Sequence, residues 1–413
     1  MRLLPLVVAL AGVLPCLPAQ QTWTVAAAGG AQFTDIGAAV AAAASGDAIL
    51  VGPGAYAPFV VDGKSLVLIG DGATVFQAHN NTAPVPPSIE IGNLAVGQIV
   101  QLVGISVSHF GPAPAALQVH DCAGTVWVQS AFLDSFAAPA VAVEQCADVV
   151  LVECLGQTSR GGVAPNGAPL AFPGARLVGS SVRIVGGEYR GSTGVLVGTG
   201  VPPQTGAADG GDGLLVIDSQ VQLAGGTYFG GAGGSFFTGA CSIGGTGGDA
   251  VQTDTLGGTP PLVRAENPDL QAGGPGFPAS CGPASAGLPV RMVAGLFVLD
   301  GGIERVLRCP AQVAGPAVLG VEVLGRAGDF ALVCAGLPAP TTVVLGLPLS
   351  LGGVANFVTL GAVSIGAVGR ATLSVPVPQL VPAIPDLQFA VQALVIDPAA
   401  RASATNPRTL LLR

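Results

Sequence analysis

Asp209 and Asp212 form an acidic pair in the run ADGGDG, and Glu188 and Arg190 flank Tyr189 a little earlier in the chain. Two carboxylates can divide general acid and base work, or can hold calcium while an arginine serves the proton next to a sugar carboxylate. These four are the candidate catalytic residues. A turn role competes for the two aspartates, because Asp and Gly dominate tight turns for local backbone reasons. Asp134, Glu153 and Glu188 each follow a short apolar strand, so carboxylates can also converge from separate stretches; scattered solvent-facing acids are the simpler reading. Trp127 alternates with Val126 and Val128 and therefore points away from them. Exposed, its indole would be a ligand-binding platform for sugar rings; covered, it only packs. The segment from Gly244 to Val251, GGTGGDAV, fits one unit of a calcium-binding glycine repeat, but such sites need the unit in tandem, and Ser235 stands where the preceding Asp should be. No cofactor is expected, and calcium gains no support from a tandem motif. Neither a nucleophile elbow nor a phosphate-cradling loop is present.

Eight cysteines remain to be placed: Cys16, Cys122, Cys146, Cys154, Cys241, Cys281, Cys309 and Cys334. None has zinc-finger spacing, and His120 near Cys122 is weak evidence for a metal. AGGSFFTGACSI (Ala232 to Ile243) repeats as AGGPGFPASCGP (Ala272 to Pro283), which puts Cys241 and Cys281 in equivalent loops and favours a bridge between them. Cys122 and Cys146 are equivalent too, with buried thiol stacking the preferred reading over a bridge.

The elements that must carry these residues follow from an unusual composition. Charged residues make up 9% of the chain, hydrophobic ones 50%, and there are 63 glycines. Soluble helices need charged outer faces and disordered chains need few apolar groups, so neither fits. The remaining class is all-β, with Val, Ile and Leu in strands and Gly and Pro in turns. The net charge of -9 comes without a basic stripe, which argues against a nucleic-acid partner. LVGSSVRIVGGEYRG (Leu177 to Gly191) repeats as VIDSQVQLAGGTYFG (Val216 to Gly230), and similar strands occur at Val126 and Val128 and at Val150 and Val152. The steps Val126 to Val150, to Val182 and to Val221 are 24, 32 and 39 residues. Short period-2 strands at a minimum step in the low twenties predict stacked coils of a parallel β-solenoid. The longer steps then carry loops, at about Gly156 to Gly174 and Gly191 to Gly211.

Near the N-terminus Phe33 to Ala44 reads as a helix, followed by Gly46, Asp47, Ile49, Val51, Pro53, Gly54 and Tyr56 in the pattern GD-x-(I/V)-x-V-x-PG-x-Y. This resembles the start of secreted right-handed parallel β-helix proteins of the pectate-lyase-like superfold, in which such a helix caps the open end. The resemblance covers roughly residues 22 to 285 and implies a right-handed parallel β-helix with an N-terminal capping helix; with the β-sandwich read from the C-terminal strands below, the expected fold is all-β. The NTD, DD and R-I-K elements of polygalacturonase-like hydrolases are missing, so the activity does not follow from the fold.

Residues 1–19 combine Arg2, an apolar run from Leu3 to Leu14 and a small Ala19, the pattern of a signal peptide. An alternative anchor at Cys16 is disfavoured by Pro15. The expected divisions are 1–19 signal peptide, 20–286 β-helix and 287–413 β-sandwich, the last read from about seven short strands separated by prolines. Its ending, SVPVPQ to RTLLLR, resembles C-terminal modules on secreted proteins of planctomycete-type bacteria. No later stretch is apolar enough to span a membrane. Taken together, these features suggest a protein, secreted or at the cell surface, that acts as an adhesive or glycan-contacting scaffold, with a polysaccharide or cell-surface glycan as partner. A polysaccharide lyase or glycoside hydrolase with its site among the inserted loops is the alternative.

Overall fold

The computed structural model describes residues 21–77, 86–110, 114–159, 161–163, 169–194, 208–238, 241–276 and 284–300, and the strands and short turns between 307 and 412. Three parallel sheets of ten, eight and eight strands are wound by one chain that visits them in rotation. One turn runs Leu117–His120, Thr125–Gln129, Phe132–Ser135, and the next runs Val141–Glu144, Asp148–Val152, Leu155–Thr158. Each strand pairs in parallel with its successor one coil on. This is a right-handed parallel β-helix, and the sheets are called here the Gln118, Trp127 and Asp134 sheets. Alternate residues point inward, so Val119, Val126, Val128, Leu133, Val143, Val149 and Leu151 share one fully buried core.

At the corner between the Trp127 and Asp134 sheets, where Gly187 and Gly226 at φ 83° add a second left-handed residue in two coils, the strand ends on a left-handed residue: Gly104, Ser130, Glu153, Gly186 and Gly225, with φ from 48° to 66°. Each donates its N–H to the next coil, as Ser130 does to the Val152 carbonyl at 2.8 Å. Glu153 is thus a corner residue.

One register differs from the sequence expectation. Val126 pairs with Val149 and Val128 with Leu151, so Val149 and Leu151 face inward in place of Val150 and Val152. The loop after Cys146 is one residue shorter than the loop after Cys122: Leu117 pairs with Val141 but Thr125 with Asp148. All four residues of Val149–Val152 are buried, so alternation of polarity could not reveal the inner pair. The first inserted segment also begins later, because Gly156 belongs to the strand Leu155–Thr158. The parallel coils continue through Val290–Met292 and Leu296–Asp300, past residue 286.

Much of the inserted chain forms a second lattice. Segments around residues 191–194, 208–213, 230–234, 245–250, 272–276 and 284–288 lie side by side without joining a sheet. Gly230 and Gly233 donate to Gln271 and Gly274 of one neighbour, while Gly231 and Gly234 donate to Gly211 and Ala208 of another. Gly248 and Gly245 in turn donate to the carbonyls of Gly231 and Gly234. Residues three apart thus meet the same neighbour, the periodicity of a polyproline II helix with three residues per turn. Such a helix has no internal hydrogen bonds, so neighbours supply them, and the positions that face a neighbouring backbone have no room for a side chain. A Cβ on Gly231 would lie 1.9 Å from the Ser192 carbonyl oxygen, and one on Gly248 2.0 Å from that of Gly211.

At the N-terminus the helix is Ile36–Ala42, shorter than expected, with the Asp35 carboxylate accepting from Ala38 N–H. Ile36, Ala39 and Val40 close the end of the core. Asp47 of the sequence motif is 4% exposed and accepts from Gln21 N–H at 2.9 Å, Trp23 Nε1 at 3.0 Å and Ala44 N–H at 2.9 Å. Tyr56 donates its hydroxyl to the Gly52 carbonyl and accepts from Ala27 N–H. The motif therefore fastens the first strand, Thr22–Val25, to the cap. Replacing Asp47 with alanine is expected to destabilise the protein by about 2 kcal/mol, since two of the three donors lie where water reaches them; chemical denaturation would measure this, with earlier proteolysis near the N-terminus as its local sign.

Cys122, Cys146 and Cys334 are buried free thiols, and Cys154 is buried with its Sγ directed at the Val128 and Val152 carbonyls. Cys122 and Cys146 stack in successive coils, their thiols directed at the His120 and Glu144 carbonyls, and Ser180 and Ser219 continue the column. Cys281 and the side chain of Cys241 lie outside the described residues, as does the segment 1–19. In the C-terminal part, a three-stranded sheet containing Ala317–Leu324 and Arg370–Val377 faces a six-stranded sheet containing Phe330–Gly336, Phe357–Ser364 and Leu387–Ile396. Val321, Val323, Val333, Ala393 and Val395 fill the space between them, making the expected sandwich.

Candidate functional site

The outer face of the Asp134 sheet carries two columns of outward residues. Phe76, Ser108, Asp134, Gln157, Arg190, Phe229 and Gln271 are in register in one column. Ser106, Phe132, Leu155, Glu188, Thr227 and Asp269 form the other. At strand spacings of ~4.8 Å the seven positions of the first column span about 29 Å. Phe76 is 47% and Phe132 39% exposed. Phe110 bridges Phe76 and Phe136, with centroid distances of 5.9 and 6.1 Å. Beside this aromatic group Asp134 accepts from Gln157 Nε2 at 3.1 Å and Ser159 Oγ at 2.8 Å. Further along, Arg190 pairs with Glu188 at 2.8 Å and lies 4.2 Å from the centre of the Phe229 ring. Glu188 and Arg190 are thus a pair on an open face.

Asp209 and Asp212 belong elsewhere, at the edge of the glycine lattice. Asp209 accepts from Thr246 N–H at 2.7 Å and Asp212 from Asp249 N–H at 2.9 Å. Asp249, 2% exposed, accepts from Leu288 N–H at 2.7 Å and pairs with Arg291 Nε at 2.6 Å. With its amide nitrogen turned to the carboxylates, Gln252 donates to Asp212 and Asp249 at 3.3 Å each. Burial lifts the Asp212 carboxyl to about 7; the Asp249 charge adds to this, while the Asp249 N–H and Arg291 oppose it. The four sequence candidates therefore fall into two pairs with separate bonding. Gln252 and Arg291 were not among the sequence candidates, Arg291 because it lies beyond the expected end of the coils, and Asp249 lies in the single glycine-repeat match that was set aside as a calcium site. Among the described residues no group of three or more His, Cys, Asp or Glu side chains is arranged to hold a metal.

Trp127 is a correction. It is 3% exposed and packs with Val150, Val152 and Val185, so its ring offers no face to a sugar. Its register partners are Val150, then Arg183 and Gln222. His120, on the outer face of the Gln118 sheet, sits between Glu90 Oε1 at 3.0 Å and Asp121 Oδ2 at 2.9 Å. Partial burial lowers its pKa, but the Asp121 and Glu90 bonds outweigh that and raise it.

No protein-family model matches the chain, and no curated protein matches it. Among solved structures, it is similar to tailspike protein 2 from Escherichia coli O157:H7 bacteriophage CAB120, at 11% identity and a TM-score of 0.26, covering 87% of this chain and 64% of that one. A superoxide reductase (neelaredoxin) from Ignicoccus hospitalis matches 26% of this chain and 80% of its own, at 10% identity and a TM-score of 0.19. The E. coli alpha-2-macroglobulin matches 29% of this chain and 11% of its own, at 13% identity and a TM-score of 0.20. Likenesses at this level identify no relative, and the fold rests on the register of the three parallel sheets.

Proposed function

We propose that the chain is an exported, glycan-contacting scaffold at the cell surface, and that its contact face is the outside of the Asp134 sheet. The observation that carries this reading is the solvent-facing aromatic group of Phe76, Phe110, Phe132 and Phe136 beside the hydrogen-bonded Asp134, Gln157 and Ser159. Aromatic rings cover the apolar faces of sugars while carboxylate and amide groups orient hydroxyls, and a flat parallel sheet presents both at a fixed spacing. A panel of uncharged oligosaccharides, tested by calorimetry against the full-length protein, should yield a binder that Phe132→Ala and Asp134→Asn each weaken by about tenfold, a loss of ~1.4 kcal/mol. Absence of any binder, or a binder indifferent to both changes, would remove this face from consideration.

A second reading draws on Asp212 and Asp249. A carboxyl lifted to about 7 beside one held by arginine is the division of roles that an acid and base pair requires. Glycan cleavage abolished by Asp212→Asn would favour it over the scaffold.

A further inference from the structure

The outer face of the Trp127 sheet holds a cavity of about 90 Å³ lined by Asp148, Ser181, Arg183, Gln220, Gln222 and Arg264, among other residues. It lies on a different side of the β-helix from the Asp134 face. Arg183, Gln222 and Arg264 are in register on three successive coils. The two arginines therefore start roughly 10 Å apart, with an amide between them, close enough for both guanidinium forks to reach one small group. Ser181, Gln220, Gln222 and Arg264 are exposed, whereas Arg183 is partly buried. Among the described residues neither arginine makes an ion pair within 4 Å or a side-chain hydrogen bond. Desolvation lowers the Arg183 pKa, and only the charge of Asp148 opposes it. A cation held partly out of water with its donors unspent is an unfavourable arrangement that an anion would relieve.

We propose that this cavity binds a singly charged oxyanion, a sulfate ester or a carboxylate, carried on a hydroxylated chain such as a saccharide. The volume exceeds what one water occupies several times over and suits a group of that size. The two forks, the Gln220 and Gln222 amides and the Ser181 hydroxyl are all able to donate. Asp148 sets the charge limit. It accepts from Thr125 Oγ1 at 2.9 Å and borders the cavity, so it would repel a dianionic phosphate monoester yet accept from a hydroxyl next to a monoanion. The assignment of an oxyanion site does not depend on the glycan face proposed above; only the saccharide carrier is shared with it.

The test is calorimetric titration of the full chain with a sulfated galactose oligosaccharide, an oligogalacturonate, an uncharged oligosaccharide of equal length, methyl sulfate and methyl phosphate. One or both charged oligosaccharides should bind, more tightly than the monoanionic methyl sulfate and far more tightly than the mostly dianionic methyl phosphate. Arg183→Gln and Arg264→Gln should each weaken that binding by about tenfold or more, and raised salt should weaken it too. Val60→Ala, at an exposed position of the Gln118 sheet, should leave it unchanged, which shows that the losses are local to the cavity. Equal binding of charged and uncharged chains, no response to Arg183→Gln in protein shown to be folded by circular dichroism, or a preference for phosphate would each overturn the proposal. Methyl sulfate binding as tightly as the sulfated chain would overturn the saccharide carrier.

Discussion

Gly248→Ala is expected to destabilise the protein by about 3 kcal/mol or more, while Gly274→Ala, in the same lattice, leaves it within ~0.5 kcal/mol of the parent. The two glycines share composition, neighbourhood and absence of positive φ, and differ in what a methyl group would meet. At Gly248 the added carbon would fall 2.0 Å from the Gly211 carbonyl oxygen and 2.5 Å from its carbon, while at Gly274 nothing lies within 4 Å. Relief at Gly248 would require moving a backbone segment. That segment is held by Gly248 N–H to the Gly231 carbonyl and by Gly273 N–H to the Gly248 carbonyl, so a shift would disturb bonds on both sides. Gly231→Ala should behave like Gly248→Ala, since its carbon would meet the Ser192 carbonyl oxygen at 1.9 Å. Urea denaturation of the three variants measures the contrast. Equal stability of Gly248→Ala and Gly274→Ala would mean that the segments are not packed against one another.

This lattice also marks where the sequence stopped being legible. The coils could be read because each strand shows its own inner pair, as at Val182 and Ile184 or Val221 and Leu223, and because the motif around Asp47 and Tyr56 is local. The reading failed at Val149–Val152, where outward residues are as apolar as inward ones because Val150 and Val152 are buried with Trp127 and Val185 in a second cluster on the outer face. The glycine runs were read as loops for a related reason. Glycine has no side chain whose polarity could alternate, so a three-residue hydrogen-bond period leaves no pattern in residue type. Asp209 and Asp212 were found as a pair, but their partners, Thr246 and Asp249, stand 37 residues away. The aromatic group escaped notice because Phe76, Phe110 and Phe136 come from three different coils and meet only through stacking.

The stability of the protein should fall as pH rises from about 4 to about 7, and Asp212→Asn should abolish most of that fall. In the unfolded chain the Asp212 carboxyl titrates near 3.9, whereas in the fold it titrates at about 7. A raised carboxyl pKa means that the folded state holds its proton more tightly than the unfolded state. The folded state is therefore favoured most below about pH 4, loses ground while the unfolded chain alone is ionised, and loses no more once both are ionised above about 7. Three pKa units correspond to at most ~4 kcal/mol, concentrated in one buried group. The cause is local: burial strips the Asp212 carboxylate of water and the neighbouring Asp249 charge adds to this, while the Asp249 N–H and Arg291, which itself pairs with Asp249 at 2.6 Å, offset only part of it. Asparagine retains an oxygen for the Asp249 N–H and carries no charge, so Asp212→Asn should be the more stable protein at pH 8 and close to the parent at pH 4. Melting temperatures of both proteins across this range decide the matter. Parallel curves would show that Asp212 is ionised in the fold, and they would withdraw the proton donor on which the hydrolase reading depends.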